Sequence, residues 1–283
     1  MSEYLYTHDA LTVPRGADAG QLLESRPPCD ADSQLDVAAF RDRGFLILKD
    51  AAASDAIARA AAYVATHEAC WSAPSGTRPD DWRMHRDQRL DAPVADGHLP
   101  ILDLLREPRL AAAIRCLAGS EALAVSYTQV ARRTPAPRKA RRRDLPDTSY
   151  HIDGEANASG ARFPDVFSLL VAVALTPHER PGMGNLTVFP QGHLRDWRHY
   201  PDWKRDKALP DIGRPYEVPL GIGDAVLCHP LLPHRGGRND SDSSRDLVFF
   251  RVQLAGIDYA TPERAAALLA DPWVELRVPP SSA

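Results

Sequence analysis

Tyr150-His151-Ile152-Asp153-Gly154 is the stretch on which the reading of this chain turns. In an extended strand, residues i and i+2 project to the same face. His151 and Asp153 can therefore reach one ion while Ile152 points the other way. Gly154 places the pair where a strand gives way to a loop. A third ligand must then come from another strand, so the motif calls for a β core folded around it.

His234 is the candidate third ligand. It follows Gly223-Asp224-Ala225-Val226-Leu227-Cys228, which reads as a turn and a buried strand. Two imidazoles and one carboxylate form the facial triad that holds non-haem Fe(II) and leaves the opposite face open. Zinc can use the same ligands, but a carboxylate in the set together with an oxoacid anchor suits iron better. His229 competes for the third place. Five residues from His234, it would face the other way in an unbroken strand, although Pro230 and Pro233 interrupt that argument. The turn Gly236-Gly237 and Asn239, leading on to Arg245, favours His234 and leaves His229 as a packed histidine. His178, His193 and His199 lie in a loop-rich region. His193 reads either as lining the cavity or as a hydrogen-bonded structural histidine.

Arg245 opens the strand Asp246-Leu247-Val248-Phe249-Phe250-Arg251. A guanidinium grips a carboxylate in bidentate fashion and stays charged when buried. Arg251 is the alternative, on the same face but about 20 Å further along. Both cannot serve one small anion, and Arg245 is nearer the metal ligand in sequence.

Around this motif the pattern is helices first, strands later. Residues 35–43 have helical spacing and end at Gly44; Phe45-Leu46-Ile47-Leu48 is a short apolar strand. Ser54 is a suitable N-cap for an Ala-rich helix over 55–69. Residues 71–98, rich in Pro and Gly, read as a long loop. Two helices fill 101–118, broken near Pro108 and stopped at Gly119. Strands are expected at 122–131, 148–153, 166–175, 186–189, 215–219, 224–228 and 246–254. Pro262 opens a last short helix. This order suggests a mainly β fold with flanking α elements, a jelly roll with a helical layer packed on one sheet. The expected organisation is an N-terminal arm over 1–34 and a single domain over 35–283. Within that domain the helical layer spans about 35–120, the β core about 121–255, and a C-terminal helix and tail 256–283.

The 283 residues are 44% hydrophobic and 25% charged, as in ordinary globular domains. A net charge of −4 gives no general attraction for nucleic acid or acidic membranes. No stretch approaches a membrane span, and the N-terminus has no secretory pattern. Cys29, Cys70, Cys116 and Cys228 are scattered without a CxxC and read as free thiols, which points to the cytoplasm. Arg132, Arg133, Arg138, Lys139, Arg141, Arg142 and Arg143 form a basic run just before His151. It reads as a solvated loop or as a lid that attracts an anionic substrate. Without interleaved aromatics it does not suggest nucleic-acid binding.

Five segments together resemble the phytanoyl-CoA dioxygenase-like branch of the Fe(II)/2-oxoglutarate oxygenases. They are Gly44 to Leu48, Tyr150 to Gly154, Gly184-Asn185-Leu186-Thr187-Val188-Phe189-Pro190-Gln191-Gly192-His193, Gly223 to Leu227, and His234 through Asn239, Ser241 and Arg245 to Arg251. The resemblance implies a double-stranded β-helix, cupin-like, with N-terminal helices on one sheet. It implies that His151, Asp153 and His234 bind Fe(II), and that Arg245 binds the far carboxylate of 2-oxoglutarate. It also implies that Gln129 faces the cavity and touches this co-substrate, and that Thr187 points inward near the same place. O2 would be the other co-substrate, and succinate and CO2 the co-products of hydroxylating an unactivated C–H of a small molecule. Related halogenases have a small residue in place of Asp153, so its presence favours hydroxylation; desaturation, ring closure and epoxidation stay open. Gln191 and Gly192 depart from the family's Gly and Ser/Thr before His193. Two other classes remain: a metal-dependent β-barrel hydrolase or isomerase, and a catalytically silent small-molecule-binding barrel.

Overall fold

In the second half of the chain, apolar residues recur at alternate positions or run unbroken, and both patterns become antiparallel strands. A computed structural model describes residues 35–66, 83–85, 100–120, 123–137, 149–153, 167–254, 262–274 and 276. The strands are β1 (Phe45–Leu48), β2 (Arg83–His85), β3 (Leu123–Arg133), β4 (Leu169–Ala174), β5 (Leu186–Val188), β6 (Tyr216–Glu217), β7 (Ala225–Cys228), β8 (His234–Gly236) and β9 (Arg245–Leu254). They form a six-stranded sheet in the order β1-β7-β4-β9-β3-β2 and a three-stranded sheet β6-β5-β8. The fold is the expected double-stranded β-helix.

Period-two alternation divides the large sheet into two faces. On β9, Val248, Phe250 and Val252 point to one side, where they join Val171 and Val173 of β4 and Val130 of β3. This side carries the helices: α1 (Val37–Arg43), α2 (Ser54–Thr66), a 3₁₀ segment (Pro100–Arg106) and α3 (Pro108–Ala118). They cover it with Phe40, Ile57, Leu104, Leu110 and Leu117, each 5% exposed or less. The other face carries Ala172, Ala174, Val226 and Leu247, which pack against Leu186 and Val188 of the small sheet. The candidate site lies between the sheets, on this second face.

Most boundaries fall within two or three residues of expectation, the usual spread for helix ends. Helix α2 starts at Ser54 itself, one residue earlier than a Ser54 cap would place it. Three strands differ more. Over 149–153 only His151 pairs, as an isolated bridge to His234. Residues 83–85, expected as loop, pair with 130–132 of β3, too short a run to show a period. His234–Gly236, read as a turn, is a strand paired with β5. Helix α4 (Tyr200–Asp206) was not expected in the loop-rich region, whereas α5 (Pro262–Ala270) begins at its predicted proline. Cys116 is disulfide-bonded, while Cys228 is free and buried. The expectation of four free thiols is corrected, and with it goes the argument for a reducing compartment; spacing alone could not show a pairing between distant segments. No described helix is long and apolar enough to cross a membrane.

Gly44 joins the helical layer to the site. It caps α1 with φ of 82°, its N–H donating to Phe40 O. A Cβ there would also strike the ring of His193, 2.9 Å from Cγ. Gly44→Ala is expected to lower stability by about 1–2 kcal/mol from its left-handed backbone alone, read as a lower urea midpoint.

A second expectation concerns pH. Burial holds the imidazoles of His178 and His193 down at about 4 and that of His229 well below its ordinary value. The unfolded chain binds protons at these sites that the folded chain refuses. Their stability is therefore full above about pH 6.5 and is lost as pH falls from there toward about 4. Tm should drop across that window, and His193→Gln should flatten the slope.

Candidate metal centre

Alternation sets up the site one residue at a time. Tyr150 and Ile152 are buried among Phe189, Trp197 and Tyr200. The Tyr150 hydroxyl donates to Pro210 O at 2.8 Å, and the Ile152 N–H donates to the Tyr200 hydroxyl at 3.2 Å. With these two side chains pinned, His151 and Asp153 turn to the opposite side, as the i, i+2 argument requires. His151 N–H donates to His234 O at 3.0 Å, and His234 N–H donates back to His151 O at 2.8 Å. This reciprocal pair sets the two imidazoles side by side, ring centroids 4.4 Å apart.

One ligand atom each from His151, Asp153 and His234 lies within 4.8 Å of the others, a group able to hold a metal ion. Asp153 Oδ1 is 3.7 Å from His151 Nε2 and 3.8 Å from His234 Nε2. His234 Nδ1 lies 2.9 Å from Leu232 O. A carbonyl only accepts, so Nδ1 carries a proton and Nε2 is the nitrogen turned toward the site. Asp153 and His234 are buried, while the His151 side chain is 34% exposed and marks the open side.

Asp153 has one further partner. Arg251 Nε donates to its Oδ2 at 3.1 Å, and Arg251 Nη2 stands 3.0 Å from its Oδ1. Burial by itself pushes this carboxyl up. Arg251, then His234 and His151, outweigh burial and hold the carboxyl well below the usual carboxylate range. The donor set thus suits a divalent cation: an ionised carboxylate and two imidazoles, one of them oriented through its Nδ1.

The remaining sequence candidates separate. Arg245 is 2% exposed. Its Nε donates to Gly184 O at 2.6 Å and its Nη1 to Ala131 O at 3.1 Å. Burial lowers it to about 9, so it stays cationic at neutral pH. Gln129 pairs with Phe249, on the face between the sheets. Thr187 does not point where the resemblance placed it. Val188 is the residue opposite His234, and Thr187 is opposite Arg235; alternation therefore turns Thr187 away from the face that carries His234. His229 is a packed histidine, bonded through Nε2 to Pro272 O and through Nδ1 from Leu231 N–H. His193 is bonded to Arg41 O and stacks on His229 with centroids 4.9 Å apart; His178 is likewise buried, and His199 is exposed. The role of Arg251 was missed because sequence spacing compared it with Arg245 for a single anion, whereas its anion is Asp153. Positions 138–143 of the basic run lie outside the described residues.

The model of the phytanoyl-CoA dioxygenase (PhyH) family matches residues 40–247. No curated protein matches the chain. Among solved structures, the non-heme alpha ketoglutarate dependent epimerase SnoN from nogalamycin biosynthesis is 22% identical, with a TM-score of 0.59; 89% of this chain and 92% of that one are covered. The carbocyclase SnoK from the same biosynthesis is 19% identical, with a TM-score of 0.56 and coverage of 81% and 87%. HygX from Streptomyces hygroscopicus, with nickel and 2-oxoglutarate bound, is 16% identical, with a TM-score of 0.54 and coverage of 79% and 87%. At these identities the likeness is one of fold.

Asp153→Ala leaves Arg251 facing two imidazoles without the carboxylate. Because Arg251 is partly solvated, the expected loss for the metal-free protein is about 1–3 kcal/mol. The variant should also lose any rise in Tm on adding Fe(II) or Mn(II), as followed by calorimetry.

Proposed function

Because the chain belongs to the phytanoyl-CoA dioxygenase family, we propose that it is an Fe(II)- and 2-oxoglutarate-dependent oxygenase that hydroxylates an unactivated C–H bond of a small-molecule metabolite. The observation that carries this reading is the convergence of His151, Asp153 and His234 on one point between the sheets. His151 Nε2, His234 Nε2 and an Asp153 oxygen would hold the iron. Iron and 2-oxoglutarate bound there supply the O2 chemistry, with succinate and CO2 as co-products.

The protein's own part is orientation. The Leu232 carbonyl fixes the His234 tautomer, and Arg251 fixes the plane of the Asp153 carboxylate. Such supporting bonds decide metal affinity nearly as much as the ligands do. Arg245, cationic and buried on the same face of β9 as Arg251, would meet the distal carboxylate of the co-substrate; Gln129, opposite Phe249, would line the space between. The fully buried aliphatic residues Leu186, Val188 and Leu247 keep water away from the reacting groups.

For the substrate, the solved structures of similar fold supply a class. SnoN has been crystallised with nogalamycin RO and HygX with hygromycin B; a natural-product-like metabolite is the class we propose here. SnoN is an epimerase and SnoK a carbocyclase, so the assay has to register outcomes besides gain of an oxygen. Full-length protein with Fe(II), ascorbate and 2-oxoglutarate is expected to release succinate, with the rate rising when a metabolite library contains the substrate. Mass spectrometry of the library then reads gain of one oxygen for hydroxylation, loss of two hydrogens for ring closure or desaturation, and no change for epimerisation. Succinate release no greater than that of Asp153→Ala with every library member would sink the oxygenase reading; a product without added oxygen would sink the hydroxylase part alone.

A further inference from the structure

Arg132 and Arg133 end β3 side by side in the basic run, yet the sheet sends them to opposite faces. Arg132 turns outward and pairs with Asp246, Nε to Oδ1 at 2.8 Å and Nη2 to Oδ2 at 2.8 Å. Arg133 turns inward and is 8% exposed. It stands directly opposite Arg245 in the β3–β9 register, so the two side chains leave the sheet as neighbours on the face that carries the candidate metal centre.

The guanidinium of Arg133 lies against Gly236. A Cβ on Gly236 would overlap its Nη2 and Cζ and stand 2.7 Å from Nε. Gly236 is two residues beyond His234 on β8, on the same side of that strand and about 7 Å along it. That is comparable to the reach of a five-carbon diacid whose 2-oxo end is at the metal. The Arg133 stem is held in place. Its carbonyl accepts from Asn239 Nδ2 at 2.8 Å, and its Cβ lies so close to Gly184 that a side chain there would stand 2.9 Å away. The carbonyl of that same Gly184 accepts from Arg245 Nε. The Arg133 and Arg245 side chains are thus packed about one glycine, Gly184.

We propose that Arg133, seated in the space that Gly236 leaves free, is a second specificity-determining cation that grips the distal carboxylate of 2-oxoglutarate together with Arg245. This rests on the oxygenase reading above. Arg133 and Arg245 stand opposite each other in the register, and a carboxylate has lone pairs enough to accept from both. The consequence is selection: the site would favour 2-oxoacids with a second carboxylate over those without one.

The test is isothermal titration of the full-length, Ni(II)-loaded protein with 2-oxoglutarate and with 2-oxopentanoate, the same five-carbon oxoacid lacking the second carboxylate. Arg133→Met should weaken 2-oxoglutarate by about tenfold or more, the worth of one charge-assisted hydrogen bond, and leave 2-oxopentanoate unchanged. Gly236→Ala should do the same, since the atoms nearest the added methyl are the movable end of Arg133. The double variant should be no weaker than Arg133→Met. Unchanged 2-oxoglutarate binding in Arg133→Met, or an equal loss for both oxoacids, overturns the role of Arg133 while the oxygenase reading stands. A wild-type protein that binds Ni(II) but not 2-oxoglutarate overturns both.

Discussion

A carboxylate that is 5% exposed, Asp153, sets the terms for the rest of this molecule. Removing such a charge from water is costly unless cations or hydrogen-bond donors meet it inside. Here the answer comes from three places: His151 on the same segment, His234 on the small sheet, and Arg251 on the large one. None of these is close to Asp153 except His151 until the two sheets have closed on each other. The ion pair with Arg251 is weak evidence for net stability, because desolvation offsets most of the attraction. Its stronger effect is on register. A slip of β9 by one residue would present Phe250 or Val252 to Asp153 in place of Arg251 and would turn every inward side chain of that strand toward the helices.

The same alternation explains why one strand can serve two purposes. On β9 the even positions from Val248 to Val252 are apolar and buried under α1 to α3. The odd positions carry Arg245 and Arg251 at either end, with Leu247 and Phe249 between them. Strand β3 repeats the arrangement with Arg133 and Gln129 inward and Val130 outward. The helical layer therefore braces the site from behind without contributing to it. Gly44 is the point where the two meet, packed against His193, which in turn rests on His229 and Trp273. These histidines are uncharged packing groups, which is why two imidazoles in a functional neighbourhood need not be ligands.

Much of this was legible in the sequence because it depends on period. His151 and Asp153 on one face, Tyr150 and Ile152 on the other, follow from alternation alone even though the segment forms a single bridge and no strand. The helix stops at Gly44 and Gly119 were legible because a left-handed cap selects glycine. What was not legible depends on pairing between distant segments. Thr187 lies on a three-residue strand, where a shift of one position reverses the face, and only its register against Arg235 shows that it turns away from His234. The disulfide at Cys116 and the pairing of residues 83–85 are of the same kind. Arg133 was hidden differently: in a charge run every residue looks solvated, and the sheet then turns Arg133 to the face opposite its neighbour Arg132.

In the sequence the two arginines of β9 read as rivals for one anion, because some 20 Å of strand divides them. The structure changes the conclusion. Arg251 has an anion already, the carboxylate of Asp153, and by holding it defines the metal end of the space between the sheets. Arg245 has two backbone carbonyls, which orient its guanidinium without neutralising it. A charge neutralised at one end of an apolar cavity and left standing at the other creates a direction. On the function proposed above, a dianionic oxoacid between the sheets would have one favourable orientation, with its chelating end toward Asp153 and its far carboxylate toward Arg245. Leu247 and Phe249, which separate the arginines, keep the interior apolar enough for that difference to be felt. On that reading, orientation of the co-substrate would be a property of the whole strand, written in the identity of its odd-numbered residues.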